Sequence, residues 1–219
     1  DLAEVLVEYD PNGSLVTTHE SQGSDLGLFG GLMGWDTDDA RLPDFREEIE
    51  KAGIKVEIRY ASYGAEHPNT YKLTLSNRGE ERRMRAISTG GGMIVVEEIE
   101  GAEVRIEGDY FEILVFLSDP EAASGLSSWL SDEFSFDEVG VRRGDRELLL
   151  EIKSRYALDE ELMEELRCNP AVSDVRVLQP VLPILSRRGL SVPWLRCAEM
   201  ESFQREEGNA LSLGELGAL

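Results

Sequence analysis

The sequence predicts an α+β protein in two parts followed by a helical tail. Residues 54–60 (IKVEIRY) and 70–76 (TYKLTLS) alternate apolar and polar side chains, the two-residue period of half-buried antiparallel strands. Residues 44–52 (DFREEIEKA) and 158–167 (LDEELMEELR) instead space their apolar positions as helices do. From residue 111 the patterns run strand, helix, strand, strand, helix, strand, the split ferredoxin-like order βαββαβ.

Taken in order, residues 2–9 (LAEVLVEY) form an apolar, β-leaning run. Asp10-Pro11-Asn12-Gly13 is a turn, because proline fixes φ and Asn-Gly accepts positive φ. Residues 14–18 (SLVTT) read as the returning strand. In 24–34 (SDLGLFGGLMG), Leu26, Leu28, Phe29, Leu32 and Met33 lie on a helical stripe, with Ser24 or Asp25 as N-cap. Gly27, Gly30, Gly31 and Gly34 each weaken that helix by up to ~1 kcal/mol relative to alanine. Glycine at so many positions points to close approach of another backbone or of a ligand. The helix at 44–52 stops at Gly53, a natural C′ residue. Strands are expected at 54–60, 70–76, 82–88, 93–99 and 103–106.

The second part has a strand at 111–117, a helix at 120–130 and strands at 136–141 and 147–152 joined through Arg143-Gly144-Asp145. It ends with the helix at 158–167, with Leu158, Leu162, Met163 and Leu166 on one face, and a strand at 172–178. Pro180, Pro183 and Pro193 mark 180–193 as a linker. Residues 194–207 and 211–219 read as helices. The missing initial Met and a helical pattern still running at Leu219 create the expectation of further chain on both sides.

The chain carries 44 acidic and 22 basic residues among 219, a net charge of −22. Such a field repels polyphosphates, so nucleic acid and anionic membrane surfaces are poor partners. A hydrophobic share of 41% and a charged share of 30% suit a globular, cytoplasmic protein. No apolar run nears the ~18–20 residues that span a bilayer, and no leader pattern opens the chain. Two cysteines, Cys168 and Cys197, make no disulfide framework. They are also too few for a four-iron cluster, which takes three or four thiolates. No metal site is therefore expected within these residues.

Four motifs then occur in a fixed order. Thr17-Thr18-His19-Glu20-Ser21-Gln22-Gly23-Ser24-Asp25 is followed by Gly30-Gly31-Leu32-Met33-Gly34-Trp35-Asp36-Thr37-Asp38-Asp39 and Arg41-Leu42-Pro43-Asp44. His67-Pro68-Asn69-Thr70 and Ser88-Thr89-Gly90-Gly91-Gly92 come next. Together, over residues 2–179, they resemble iron–sulfur-dependent L-serine dehydratases, whose corresponding segments are Thr-Tyr-x-Gly-His-Gly-Thr-Asp, His-Pro-Asn-Thr and Ser-Ile-Gly-Gly-Gly. The resemblance implies an allosteric-substrate-binding-like domain over 1–107 and an ACT-like domain over 108–180. The run from Cys197 through Leu216 resembles the start of the family's catalytic α portion, so 181–219 is expected to hold the linker and that start. The resemblance further implies a 4Fe-4S cluster in that α portion and none in these residues. It also implies an amino-acid substrate or effector and a homodimer.

The same resemblance supplies candidate site residues. His67 is the candidate catalytic histidine, with Asn69 and Thr70 holding substrate or a neighbouring loop, although His-Pro-Asn-Thr is also good turn chemistry. Gln22, Gly23, Ser24 and Asp25 occupy the Gly-His-Gly-Thr-Asp stretch, so Gln22 stands where the family has histidine. An amide exchanges no proton at neutral pH as an imidazole does, and His19, at the family's Tyr position, is the candidate to take over that role. Ser88, Gly90, Gly91 and Gly92 offer backbone N–H groups to a carboxylate, or simply a bulged strand connection. In Asp119-Pro120-Glu121-Ala122, alanine replaces the glycine of the usual ACT effector loop, which favours a structural or dimerising second domain. Two other readings stay open. One is a divergent paralogue acting on another β-substituted amino acid or catalytically silent; the other is a regulatory region like that of phosphoglycerate dehydrogenase.

Overall fold

The computed structural model describes residues 2–77 and 79–181. The linker, the two tail helices and Cys197 of the sequence reading lie outside the described residues, apart from Pro180 and Val181 at the start of the linker. Two sheets form within one compact unit, Asp1–Pro180, and the content is α+β.

The first sheet has the order β2-β1-β3-β4-β5-β6. Its strands are β1 (Glu4–Tyr9), β2 (Lys55–Tyr60), β3 (Thr70–Ser76), β4 (Glu81–Gly90), β5 (Met93–Ile99) and β6 (Ala102–Ile106). β1 runs parallel to β2, with Tyr9 opposite Tyr60, and antiparallel to β3. The crossover from β1 to β2 carries α1 (Leu15–Thr18), α2 (Ser24–Leu32), a 3₁₀ turn at Leu42–Asp44 and α3 (Phe45–Lys51). Phe29 and Ile49 from these helices bury against Val5, Val7, Tyr9 and Leu73, the inward-facing alternate residues of β1 and β3.

Residues 14–18 are helical rather than a strand. Gly13 fits tightly, since a Cβ there would lie 2.6 Å from the Pro68 carbonyl oxygen. The Ser14 amide donates to that oxygen at 2.9 Å, and the Thr17 and Thr18 hydroxyls donate back to the Ser14 carbonyl at 3.2 and 2.8 Å. These local bonds give the β-branched run a helical turn. The N-cap of α2 is Gly23, at φ 73°, and neither Ser24 nor Asp25 caps it. Asp25 turns inward instead. Of the four helix glycines, only Gly30 meets a close neighbour, the Leu42 side chain.

The second sheet has the order β10-β7-β9-β8, all pairs antiparallel. Its elements are β7 (Phe111–Leu117), α4 (Pro120–Glu133), β8 (Glu138–Arg143), β9 (Leu148–Ser154), α5 (Glu160–Cys168) and β10 (Val172–Leu178), the strand–helix succession read from the sequence. Asp119 and Asp159 cap the two helices, accepting from the Glu121 and Leu162 amides at 3.0 and 2.8 Å. Capping by Asp159 leaves Leu158 outside α5, although it still packs on the core. Ile113, Val115, Leu117, Leu150 and Ile152 face the helices and bury Leu130, Leu162 and Leu166.

The other face of this sheet packs on the first. Leu114, Phe116 and Leu149 share one cluster with Ala86, Val96, Ile99, Ala102, Val104 and Ile106. Three charged residues are buried on that face. Glu112 and Glu151 are fully buried, and Lys153 Nζ sits 3.4 Å from Glu112 Oε1 and 3.6 Å from Glu151 Oε1. The ammonium also donates to the Arg105 carbonyl of β6. Arg142 Nε donates to Glu151 Oε2 at 3.1 Å. Neither Glu112 oxygen accepts a hydrogen bond among the described residues. Burial pushes its carboxyl up to about 7, against the pull of Lys153.

Two turns interlock beside this seam. Glu100 and Gly101 take positive φ, 51° and 82°, between β5 and β6. The Asp145 amide, between β8 and β9, donates to the Glu100 carbonyl at 2.9 Å. A Cβ on Gly144 would lie 2.9 Å from that same oxygen, and one on Gly101 would lie 2.9 Å from the Asp145 nitrogen. Both are closer than real Cβ contacts.

Gly101→Ala combines a left-handed backbone with this collision, and it is expected to cost at least about 2 kcal/mol in denaturant unfolding. A change under 0.5 kcal/mol, roughly the scatter of neutral surface substitutions, would refute the interlock. Glu112 titrates higher in the folded chain than in the unfolded one. The folded state therefore holds the extra proton between the two values, and its stability falls as pH rises from about 4.5 to about 7. Glu112→Gln is accordingly expected to stabilise by about 1–3 kcal/mol at pH 8 and by much less at pH 5. Melting curves of equal separation at both pH values would contradict this.

Candidate functional site

One end of the first sheet gathers the candidate residues. The strand register places the last residues of β1, β2 and β4 and the first of β3 at this end. Ligands in open sheets containing parallel strands commonly bind beyond the carboxyl ends of those strands, where the order reverses. Here that reversal is at β1, flanked by parallel β2 and antiparallel β3.

Asp10, directly after β1, is buried and holds two loop segments. Its Oδ1 accepts from the Asn12 amide at 3.0 Å, and its Oδ2 accepts from the Tyr63 and Ala65 amides at 3.2 and 3.3 Å. These donors keep its carboxyl below the usual carboxylate range, the Asn12 amide contributing most. Alongside, the Ser14 hydroxyl bonds Asn69 Oδ1. Asn69 Nδ2 donates to the Ser88 carbonyl at 3.4 Å, and the Ser88 amide donates to the Asn69 carbonyl at 3.0 Å. Asn69 thus ties the Asp10–Ser14 turn to the end of β4. His67 Nδ1 accepts from the Asn69 amide at 3.2 Å, and Thr70 Oγ1 donates to the His67 carbonyl at 2.6 Å, so turn chemistry is present in full. Gly90, Gly91 and Gly92 all take positive φ, 96°, 63° and 80°, in the β4–β5 hairpin, where the register shifts between Ser88 and Gly90. That is the bulged connection, and open space surrounds all three.

A second cluster lies on the helix-covered side. His19 caps the C-terminus of α1 and is 5% exposed; Asp25, in the first turn of α2, is 2% exposed. His19 Nδ1 lies 2.8 and 2.9 Å from the two Asp25 oxygens, and Nε2 lies 3.0 Å from the Tyr60 hydroxyl. Arg46 of α3 approaches Asp25 at 3.6 Å and pairs with Glu20 at 3.0 Å. Tyr9 packs beside the cluster, its ring centre 4.9 Å from the tilted His19 ring, 6.5 Å from the stacked Tyr60 ring and 5.6 Å from the edge-on Tyr71 ring. The Tyr9 hydroxyl is buried without a hydrogen-bond partner among the described residues. Burial, then the nearby Asp25 charge, raises its pKa well above the ordinary phenol value.

The structure thus joins His19 to Asp25 but does not bring His67 to them. His67 lines an open cavity of about 580 Å³ together with Tyr63, Arg85, Glu97, Glu103 and Arg105. Thr70, Arg85 and Ile87 in that wall alternate with the inward-facing residues of β3 and β4, so the cavity lies on the opposite face. Gln22 and Gly23 are exposed and Ser24 half-buried. Tyr60, Asp10 and Arg46 escape sequence reading. Their partners lie far along the chain, and Asp10 looks like an ordinary turn residue.

Among the described residues no group of three or more His, Cys, Asp or Glu converges to hold a metal. Cys168 is exposed, its Sγ 3.2 Å from Glu164 Oε1, and hydrogen bonding to that carboxylate raises the thiol's pKa. These donors do not fit an iron–sulfur cluster. Nor, among the described residues, is any helix long and apolar enough to cross a membrane.

Asp10→Ala should speed hydrogen exchange at the Asn12, Tyr63 and Ala65 amides at least tenfold while leaving β7–β10 amides unchanged. Uniform acceleration across the chain would instead assign Asp10 a global role.

Comparison with known proteins gives two relatives, while no protein-family model matches. The chain is 32% identical over 168 residues to the probable L-serine dehydratase, beta chain, of Bacillus subtilis, an alignment covering 74% of this chain and 76% of that one. It is 31% identical over 137 residues to the L-serine dehydratase, beta chain, of Peptoniphilus asaccharolyticus, covering 62% and 60%.

Proposed function

This chain belongs to the L-serine dehydratase beta-chain family, and from that we propose that it works with a catalytic α portion, fused or separate, to convert L-serine to pyruvate and ammonia. The identity over 168 residues carries this reading. The 4Fe-4S cluster of such an enzyme would be held by the α portion, since the donors described above do not suit it. The β chain's own contribution lies at the end of the first sheet. There the His19–Asp25 pair holds a proton in a place screened from water, and Asn69, Ser88 and the 90–92 hairpin shape the approach. Gln22, Gly23 and Ser24 border the same end, and His67 and Thr70 serve the cavity on the opposite face.

The second sheet is read as an ACT-like domain with a structural and dimerising role. Asp119 there caps α4, and Ala122, in the first turn of that helix, stands where the usual effector loop has glycine. Gln22 favours a second reading, a divergent paralogue that uses another β-substituted amino acid.

The full-length protein with its α portion, loaded anaerobically, is expected to release pyruvate from L-serine. His19→Asn should lower kcat about 100-fold, within the usual range for a proton-transfer group, and Gln22→His should change it less than tenfold. A loaded enzyme that leaves L-serine untouched until Gln22→His is introduced would establish the paralogue instead.

A further inference from the structure

We propose that Tyr60 is the group through which this chain touches the amino-acid substrate, with His19 and Asp25 as positioning residues behind it. The inference rests on the reading above that this end of the sheet meets a β-substituted amino acid.

With His19 neutral, hydrogen bonding sets the direction of the relay. A carboxylate only accepts, so the His19 nitrogen 2.8 Å from Asp25 carries the proton. In the neutral imidazole the other nitrogen, Nε2, is then an acceptor, and the Tyr60 hydroxyl 3.0 Å away donates to it. The phenol oxygen spends its only proton on His19 and keeps its lone pairs for a proton arriving from outside. The order of groups is that of the hydroxyl–imidazole–carboxylate triad, in which the imidazole is the base that takes the hydroxyl's proton and the carboxylate orients the ring.

Exposure gives the relay a polarity. Asp25 and His19 are 2% and 5% exposed, whereas Tyr60 is 51% exposed. Tyr60 is also the last residue of β2, beside the last residue of β1 and next to the point where the sheet order reverses. The groups facing the relay are Arg46 and Glu20 from the helical crossover, and Tyr9 and Tyr71 from β1 and β3. A tyrosine serving only to fill space in that aromatic cluster would not need its hydroxyl 3.0 Å from an imidazole held by a buried carboxylate.

The proton inventory balances. The Cα–H bond of the substrate breaks and its proton forms a new O–H bond on Tyr60, while the original phenol proton passes to Nε2 of His19. The electron pair left on Cα forms the Cα–Cβ double bond as hydroxide leaves Cβ. The imidazolium then returns its proton through Tyr60 to that hydroxide, giving water and the starting relay.

The test uses the full-length protein with its α portion. In the cluster-free protein, the fluorine resonance of 3-fluorotyrosine at position 60 should shift when L-serine is added. In the loaded enzyme, Tyr60→Phe should lower kcat about 100-fold with KM changed less than threefold and the melting temperature unmoved. The 3-fluorotyrosine enzyme, with its more acidic phenol, should shift the kcat–pH profile to lower pH, which a packing role would not do. An active parent enzyme with a fully active Tyr60→Phe variant and a silent resonance overturns the proposal and leaves the family role standing. If the parent enzyme is inactive on L-serine, the substrate reading fails. A resonance shift with L-threonine or L-cysteine would then sustain Tyr60 as the contact, and silence with all three would overturn it.

Discussion

A buried imidazole grips a buried carboxylate 2.8 Å away, and the helical crossover of the first sheet is arranged around that pair. His19 ends α1, Asp25 begins α2, and the turn between them carries Gly23 at positive φ so that the chain can double back. Either group alone in that setting would be an uncompensated polar atom costing several kcal/mol. Paired, they fix the angle between two helices too short to be stable by themselves. They also set which ring nitrogen of His19 faces Tyr60, so one contact decides both a piece of architecture and a piece of chemistry.

The same end of the sheet shows how loops are made rigid without regular structure. Asp10 collects amides from its own turn and from a segment more than fifty residues away. Asn69 uses both ends of its amide, one on Ser14 and one on Ser88. Every connection at that rim therefore reports to one of two short polar side chains. A site built on such loops inherits the stiffness of the strands that carry those side chains.

Strand alternation and helix periodicity were legible because they are local: 70–76 and 111–117 stand where the pattern put them, β2 starts one residue later than expected, and α5 keeps Leu162, Met163 and Leu166 on its apolar face with Leu158 outside it. What escaped was set by distant partners. Residues 14–18 carry β-branched side chains, yet threonine hydroxyls and a carbonyl from residue 68 bend them into a helical turn. Asp25 resembled a cap and became a buried partner. Tyr60 resembled the last residue of an ordinary strand, because the histidine that gives it meaning lies 41 residues earlier. The family motifs gather at one end of the first sheet, but they gave no sign that His19 and His67 would fall on opposite faces of it.

The interlocked turns at Gly101 and Gly144 carry an evolutionary consequence. Each hairpin tip fits only because the other lacks a side chain, and a backbone bond spans the gap. Neither half of the β chain can be exchanged for a homologue's version unless the replacement brings a matching bare tip. Recombination between lineages is therefore expected to yield a folded chain only where both tips keep their glycine.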